Sequence, residues 1–123
     1  MLKEALLVFF GSGLGGLVRF AISKNLNSEN FPWATLCSNI FACFVLGLTI
    51  SLAENKGMIS PATKLFITVG FCGGFSTFST FSFETLHLFQ MGNYLMAMVN
   101  ILVSLLACLL STFLGIMLVE KLF

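Results

Sequence analysis

The sequence has 123 residues, of which 58% are hydrophobic and 9% charged, with a mean hydropathy of +1.02. A soluble domain carries about 25% charged residues, so the composition excludes one and points to a single integral membrane domain over residues 1–123. A net charge of +1 gives no argument for nucleic acid. The single histidine, His87, makes a histidine metal site improbable. Four cysteines (Cys37, Cys43, Cys72, Cys108) lie in apolar runs without metal-ligand spacing and read as small packing residues.

Hydropathy predicts four spans, at about 2–23, 33–53, 62–89 and 94–119, each near the ~20 residues a bilayer requires. The first exceeds a signal-peptide apolar region of roughly 7–15 residues and is expected to be retained. Its Gly11-Ser12-Gly13-Leu14-Gly15-Gly16 matches the dinucleotide pattern G-x-G-x-x-G. No βαβ unit follows, so close helix packing is the better reading. Arg19, near the end of this span, reads as a side chain snorkelling to the interface. Trp33 opens the second span as an interface anchor, and Thr35 and Asn39 lie four apart within it. Ser60-Pro61 reads as a helix start.

The third span is unlike an ordinary one. Between Gly70 and Glu84 it holds three glycines, five small hydroxyls, five phenyl rings and a carboxylate. Adjacent Gly73-Gly74 invite a break, with the first half-helix expected to end near Gly73. Backbone carbonyls freed there would suit a hard monovalent cation such as Na⁺. At 100° per residue an unbroken helix would place Ser76, Thr80 and Glu84 on one face with Thr77 beside them, and Phe78 and Phe81 on another. Glu84, an acid within a span, is a functional candidate by default. In the fourth span Asn100, Ser104 and Ser111 share a stripe with Gly115. Hydroxyls and amides serve an anion or a cation. Ring edges favour an anion and ring faces a cation, and the sequence leaves that choice open.

Four helices leave little room for an internal pore, so a pathway is expected between two copies. Lys3, Lys56, Lys64 and Lys121 fall on the side of the termini, against Arg19 and Lys24 on the other. This bias is small enough for insertion in both orientations, and hence for an antiparallel homodimer.

Gly73-Gly74-Phe75-Ser76-Thr77-Phe78-Ser79-Thr80-Phe81-Ser82-Phe83-Glu84 resembles the G-G-x-T-T-F-S-T-F-S-x-E of the small bacterial fluoride channels, the Fluc/CrcB family. Thr35-Leu36-Cys37-Ser38-Asn39 is similar to that family's T-L-x-V-N, and Gly15-Gly16-Leu17-Val18-Arg19-Phe20 to its G-A-x-x-R-Y. The resemblance covers essentially the whole chain. Ser76 stands for a usual Thr, Ser38 for Val, Gly16 for Ala and Phe20 for Tyr. The resemblance implies an all-α protein of four transmembrane helices with a broken third helix, assembled as an antiparallel, dual-topology homodimer in the bacterial plasma (inner) membrane. It implies passive export of fluoride, with Phe78 and Phe81 as the pore rings, Asn39 as a ligand, Ser79 and Thr80 as nearby donors and Glu84 near one pore end. It also implies a structural, untransported Na⁺ held by backbone oxygens matching Gly73 and Ser76. Together with the polar stripe of the fourth span, the candidate pathway comprises Asn39, Phe78, Ser79, Thr80, Phe81, Glu84, Ser104 and Ser111, with Arg19 as a structural residue.

Three other classes are weighed. A small dual-topology multidrug/proton antiporter would need an acid deep in the first span, which offers Arg19 near its end and no deep acid. A non-transporting subunit would leave the polar cluster of the third span without a purpose. An enzyme is disfavoured because the sequence offers no nucleophile–base pair or metal cluster.

Overall fold

The computed structural model describes residues 1–26 and 28–123. All regular structure among the described residues is helical. Helix α1 spans Leu2–Asn25 and α2 spans Trp33–Ile50, the latter continuing through wide π turns over Ser51–Asn55. Helix α3 (Pro61–Leu65) runs through a second π stretch, Phe66–Cys72, into the single turn α4 (Gly73–Phe75). Helices α5 (Phe78–Gln90) and α6 (Tyr94–Leu122) complete the chain. Among the described residues, four stretches are long and apolar enough to cross a bilayer: Leu2–Asn25, Trp33–Asn55, Pro61–Gln90 and Tyr94–Leu122. The protein is a multi-pass membrane protein whose backbone polar groups are satisfied within helices, as hydrocarbon requires.

Local sequence sets the ends. Ser60 caps α3 by accepting from the Thr63 N–H at 3.1 Å, with Pro61 in the first turn, where its missing N–H costs nothing. Gly92, at φ +77°, makes the turn between α5 and α6.

The packing is inverted relative to a soluble protein. Most leucines and phenylalanines point outward, and beside Phe31, Leu36, Phe75 and Leu88 the interior holds small or polar residues such as Ser38, Ala42, Ala97 and Asn100. Glycines of α1 form the seam against the third crossing. A Cβ on Gly11 would lie 2.6 Å from the Phe66 carbonyl oxygen, and one on Gly15 would lie 2.1 Å from that of Phe71. From the other side, a Cβ on Gly74 would lie 2.2 Å from the Ser12 carbonyl oxygen. The G-x-G-x-x-G stretch is therefore a packing seam. Helices α2 and α6 meet in the same way, with Gly47 against Thr112 and Gly115 against Phe44.

The third crossing changes conformation part-way. Helical geometry ends at Phe75, and Ser76 (φ −83°, ψ 157°) and Thr77 (φ −154°, ψ 116°) are extended before α5 begins. The half-helix was expected to end near Gly73, yet Gly73 is helical at φ −62°, ψ −38°. Gly74 is needed for its contact with Ser12, so this glycine serves packing. The chain departs from the helix where Thr77 can cap α5, accepting from the Thr80 N–H at 3.2 Å.

Gly15→Ala forces a methyl onto the Phe71 carbonyl and is expected to cost about 1–3 kcal/mol. Gly13→Ala, with nothing within 4 Å, is expected to be tolerated. Thermal denaturation of the two variants in detergent, followed by loss of the monodisperse peak, checks the difference.

Candidate ion pathway beside the third crossing

Two side chains from other helices hold the extended residues. Asn39 of α2 faces Thr77, accepting its N–H on Oδ1 at 2.7 Å and donating Nδ2 to its carbonyl at 3.3 Å. The carboxamide thus replaces the partner that the Thr77 N–H loses at the break and adds a donor to its carbonyl. Arg19 of α1 donates Nε to the Gly74 carbonyl at 3.1 Å. The expected snorkelling is therefore corrected. The guanidinium turns inward because the carbonyl end of the half-helix carries partial negative charge and unpaired acceptors. Ser76 folds back onto Cys72, whose carbonyl accepts from the Ser76 N–H at 2.9 Å and from its hydroxyl at 2.7 Å. Among the described hydrogen bonds, none ends on the carbonyl oxygens of Gly73 or Ser76.

Cavities flank this point on both sides. One, of about 470 Å³, is lined by Asn39, Cys43, Ser76, Thr77, Phe78, Phe81, Ser104 and Cys108 among others. The Phe78 and Phe81 rings sit 5.6 Å apart, tilted by 41°. A second, of about 320 Å³, is lined by residues that include Arg19, Thr35, Ser38, Thr77, Thr80 and Glu84. There Thr35 Oγ1 donates to Glu84 Oε1 at 2.9 Å. Glu84 Oε2 and Ser38 Oγ are buried without a partner, and both of their residues line this cavity. Unsatisfied polar groups are costly in such a place, so the chamber is polar in demand as well as in lining. Glu84 also borders a third cavity, of about 450 Å³, that contains Glu29, Trp33 and His87. Glu84 is therefore common to both cavities.

The single helical face expected for Ser76, Thr80 and Glu84 does not form. Two extended residues rotate the register, so Ser76 joins the rings while Thr80 and Glu84 line the other chamber. Thr77 borders both chambers. Ser79 is exposed and lies 3.2 Å from Thr77 Oγ1.

A buried relay supports Phe81 from behind. Ser104 Oγ donates to Asn100 Oδ1 at 3.2 Å, Asn100 Nδ2 donates to Thr85 Oγ1 at 2.9 Å, and Thr85 Oγ1 donates to the Phe81 carbonyl at 2.7 Å. Ser104 reaches the ring-lined cavity. Ser111 instead donates to the Ile40 carbonyl at 2.7 Å, a contact between α6 and α2. Sequence reasoning missed Thr85 as a member of this relay and Ser38 as an orphaned oxygen. Thr85 falls four residues after Phe81, the spacing of a hydroxyl bonding back to a carbonyl, and that was the available signal.

Four crossings, with a polar and an aromatic-lined chamber beside an extended point in the third, define a small all-helical membrane protein. The family model described as "CrcB-like protein, Camphor Resistance (CrcB)" matches residues 6–116, and the chain belongs to that family. It is 43% identical over 121 residues to a protein of Serratia proteamaculans named "Fluoride-specific ion channel FluC", covering 97% of this chain and 95% of that one. A protein of the same name from Campylobacter jejuni is 44% identical over 119 residues, covering 94% and 96% of the two chains. Another from Pyrococcus abyssi is 41% identical over 121 residues, covering 98% of each.

Asn39→Ala removes two hydrogen bonds to Thr77, leaving its part-buried N–H without an acceptor, and is expected to destabilise the protein by about 1–3 kcal/mol. Asn39→Leu, which fills the volume without restoring either bond, is expected to be no better. Unfolding midpoints of the two variants against the parent protein check this.

Proposed function

We propose that the chain is a fluoride-selective passive channel that lets cytoplasmic fluoride leave the cell across the bacterial plasma membrane. The observation that carries this is the lining of the ring cavity. Asn39, Ser76, Thr77 and Ser104 bring neutral amide and hydroxyl groups beside Phe78 and Phe81, with no carboxylate, guanidinium or ammonium among them. The second N–H of Asn39 is not taken by the Thr77 carbonyl, and the hydroxyls would turn from their protein acceptors to receive an anion. Fluoride is small and strongly hydrated, so a narrow path must replace its water by hydroxyls, amide N–H groups and positive ring edges. A fixed cation in the path would bind it too tightly, because conduction demands release as well as entry. Chloride, larger and a weaker acceptor, gains less from the same donors. The full path on this reading runs along Asn39, Phe78, Ser79, Thr80, Phe81, Glu84, Ser104 and Ser111. The names of the family relatives support the same reading.

The functional unit on this reading is an antiparallel homodimer of dual topology. Phe78 is 79% exposed in a single chain, an unusual position for a pore ring unless a second copy covers it. The carbonyls of Gly73 and Ser76 would hold a structural Na⁺ where two copies meet. Two free oxygens per chain fit that task, because the second copy doubles their number and hard cations take oxygen ligands. When bound, the ion would supply positive charge between the carbonyl ends of the half-helices. Arg19 already occupies the neighbouring Gly74 carbonyl and so leaves those of Gly73 and Ser76 available. Glu84, fixed by Thr35, would set the charge at the mouth through which fluoride enters. The antiporter alternative lacks its acid, since the acid in the first turn of α1 is Glu4, far from the middle of the crossing.

Purified protein in liposomes is expected to dissipate a fluoride gradient while a chloride gradient persists; equal rates would overturn the reading. Phe78→Ile and Phe81→Ile are expected to slow fluoride flux by about tenfold or more without loss of assembly, since each removes a ring edge at the narrow point. Exchange of Na⁺ for a bulky organic cation throughout purification is expected to lower flux, and undiminished flux in its strict absence would remove the cation from the account.

A further inference from the structure

Cys43 of α2 and Cys108 of α6 lie 65 positions apart, a separation no metal motif would flag. The fold brings them together. Both line the ring cavity and both are half-buried, on turns of α2 and α6 that the Ser111–Ile40 hydrogen bond and the Gly47–Thr112 contact hold side by side. Neither is in a disulfide. Their juxtaposition is fixed one turn further on, where Gly47 and Thr112 press the two helices together. Cys72 is buried outside this cavity lining, and Cys37 is not part of it either.

We propose that Cys43 and Cys108 form a two-thiol site for a soft monovalent metal cation, Cu⁺ or Ag⁺, inside the ring-lined cavity. Thiolate sulfur is the ligand such cations select, and two sulfurs reaching one cavity from neighbouring helices meet the two-coordination these cations accept. Binding replaces two S–H bonds by two S–metal bonds and releases two protons, with no change of oxidation state. The site passes from neutral to a net charge of −1. A fixed negative charge beside Phe78 and Phe81 opposes an anion at the point where neutral donors otherwise receive it, and the metal occupies the space. Binding rests only on the placement of two thiols in one cavity; block of transport rests on the fluoride-channel reading.

The test uses the full chain and Ag⁺ as the nitrate in chloride-free medium. In alkylation assays read by mass spectrometry, micromolar Ag⁺ is expected to shield Cys43 and Cys108 together, with one metal ion per chain, and a small dithiol is expected to reverse it. Unchanged alkylation of the pair overturns the site. In liposomes, Ag⁺ is expected to slow fluoride efflux by about tenfold in the parent protein and in Cys37→Ala/Cys72→Ala. Cys43→Ala/Cys108→Ala is expected to keep most of its own metal-free rate. Equal block in that double variant overturns the assignment to these two thiols. Shielding with undiminished efflux upholds the site and overturns the block. Absence of fluoride efflux before any Ag⁺ is added counts against the channel reading, and the alkylation result then decides the site by itself.

Discussion

A chain that leaves helical geometry inside a bilayer frees backbone donors and acceptors where no water can receive them, and this protein is organised around that constraint. At Ser76 and Thr77 the partners come from elsewhere in the chain. Asn39 meets both backbone groups of Thr77, and Arg19 meets the Gly74 carbonyl. Each of these bonds ties a different helix to the same point, so the extended residues double as the junction of α1, α2 and the third crossing. The glycine seam of α1 is what brings Arg19 close enough, because side chains at Gly11 or Gly15 would hold the helices apart.

The same arrangement explains why the polar groups are neutral where the rings are and charged only to one side. Arg19 and Glu84 share the chamber with Thr35 and Thr80, whereas the ring cavity is served by an amide, hydroxyls and thiols. The separation follows from the turn in register at residues 76–77, which sends alternate parts of one motif to opposite faces. Thr77 is common to both chambers, and the relay from Ser104 through Asn100 and Thr85 fixes the backbone of Phe81. Ring position thus depends on buried hydrogen bonds as well as on apolar contact.

Much of this was legible in the amino-acid sequence because composition acts over whole segments. Hydropathy over four runs defines the helical membrane class, and the motif from Gly73 to Glu84 marks the family. Detail that depends on a single change of backbone direction was not legible. A helical projection of Ser76, Thr80 and Glu84 presumes a constant turn per residue, and Ser76 and Thr77 violate it. Gly73-Gly74 drew attention as breakers when Gly74 is there to admit Ser12. Arg19 looked like a snorkelling side chain because its acceptor, Gly74, is 55 positions away. The Cys43–Cys108 pair was hidden for the same reason: contact between parallel helices leaves no local signature.

The central claim is that a small anion sheds its water against the neutral donors and ring edges beside residues 76–81. Dipolar recoupling between ¹⁹F of bound fluoride and labelled side chains, in protein reconstituted in bilayers, tests it most directly. The account predicts fluoride coupling to the ring-edge protons of Phe78 and Phe81 and to the amide protons of Asn39. Fluoride coupled only to residues outside this cavity, with those rings and that amide silent, would contradict it.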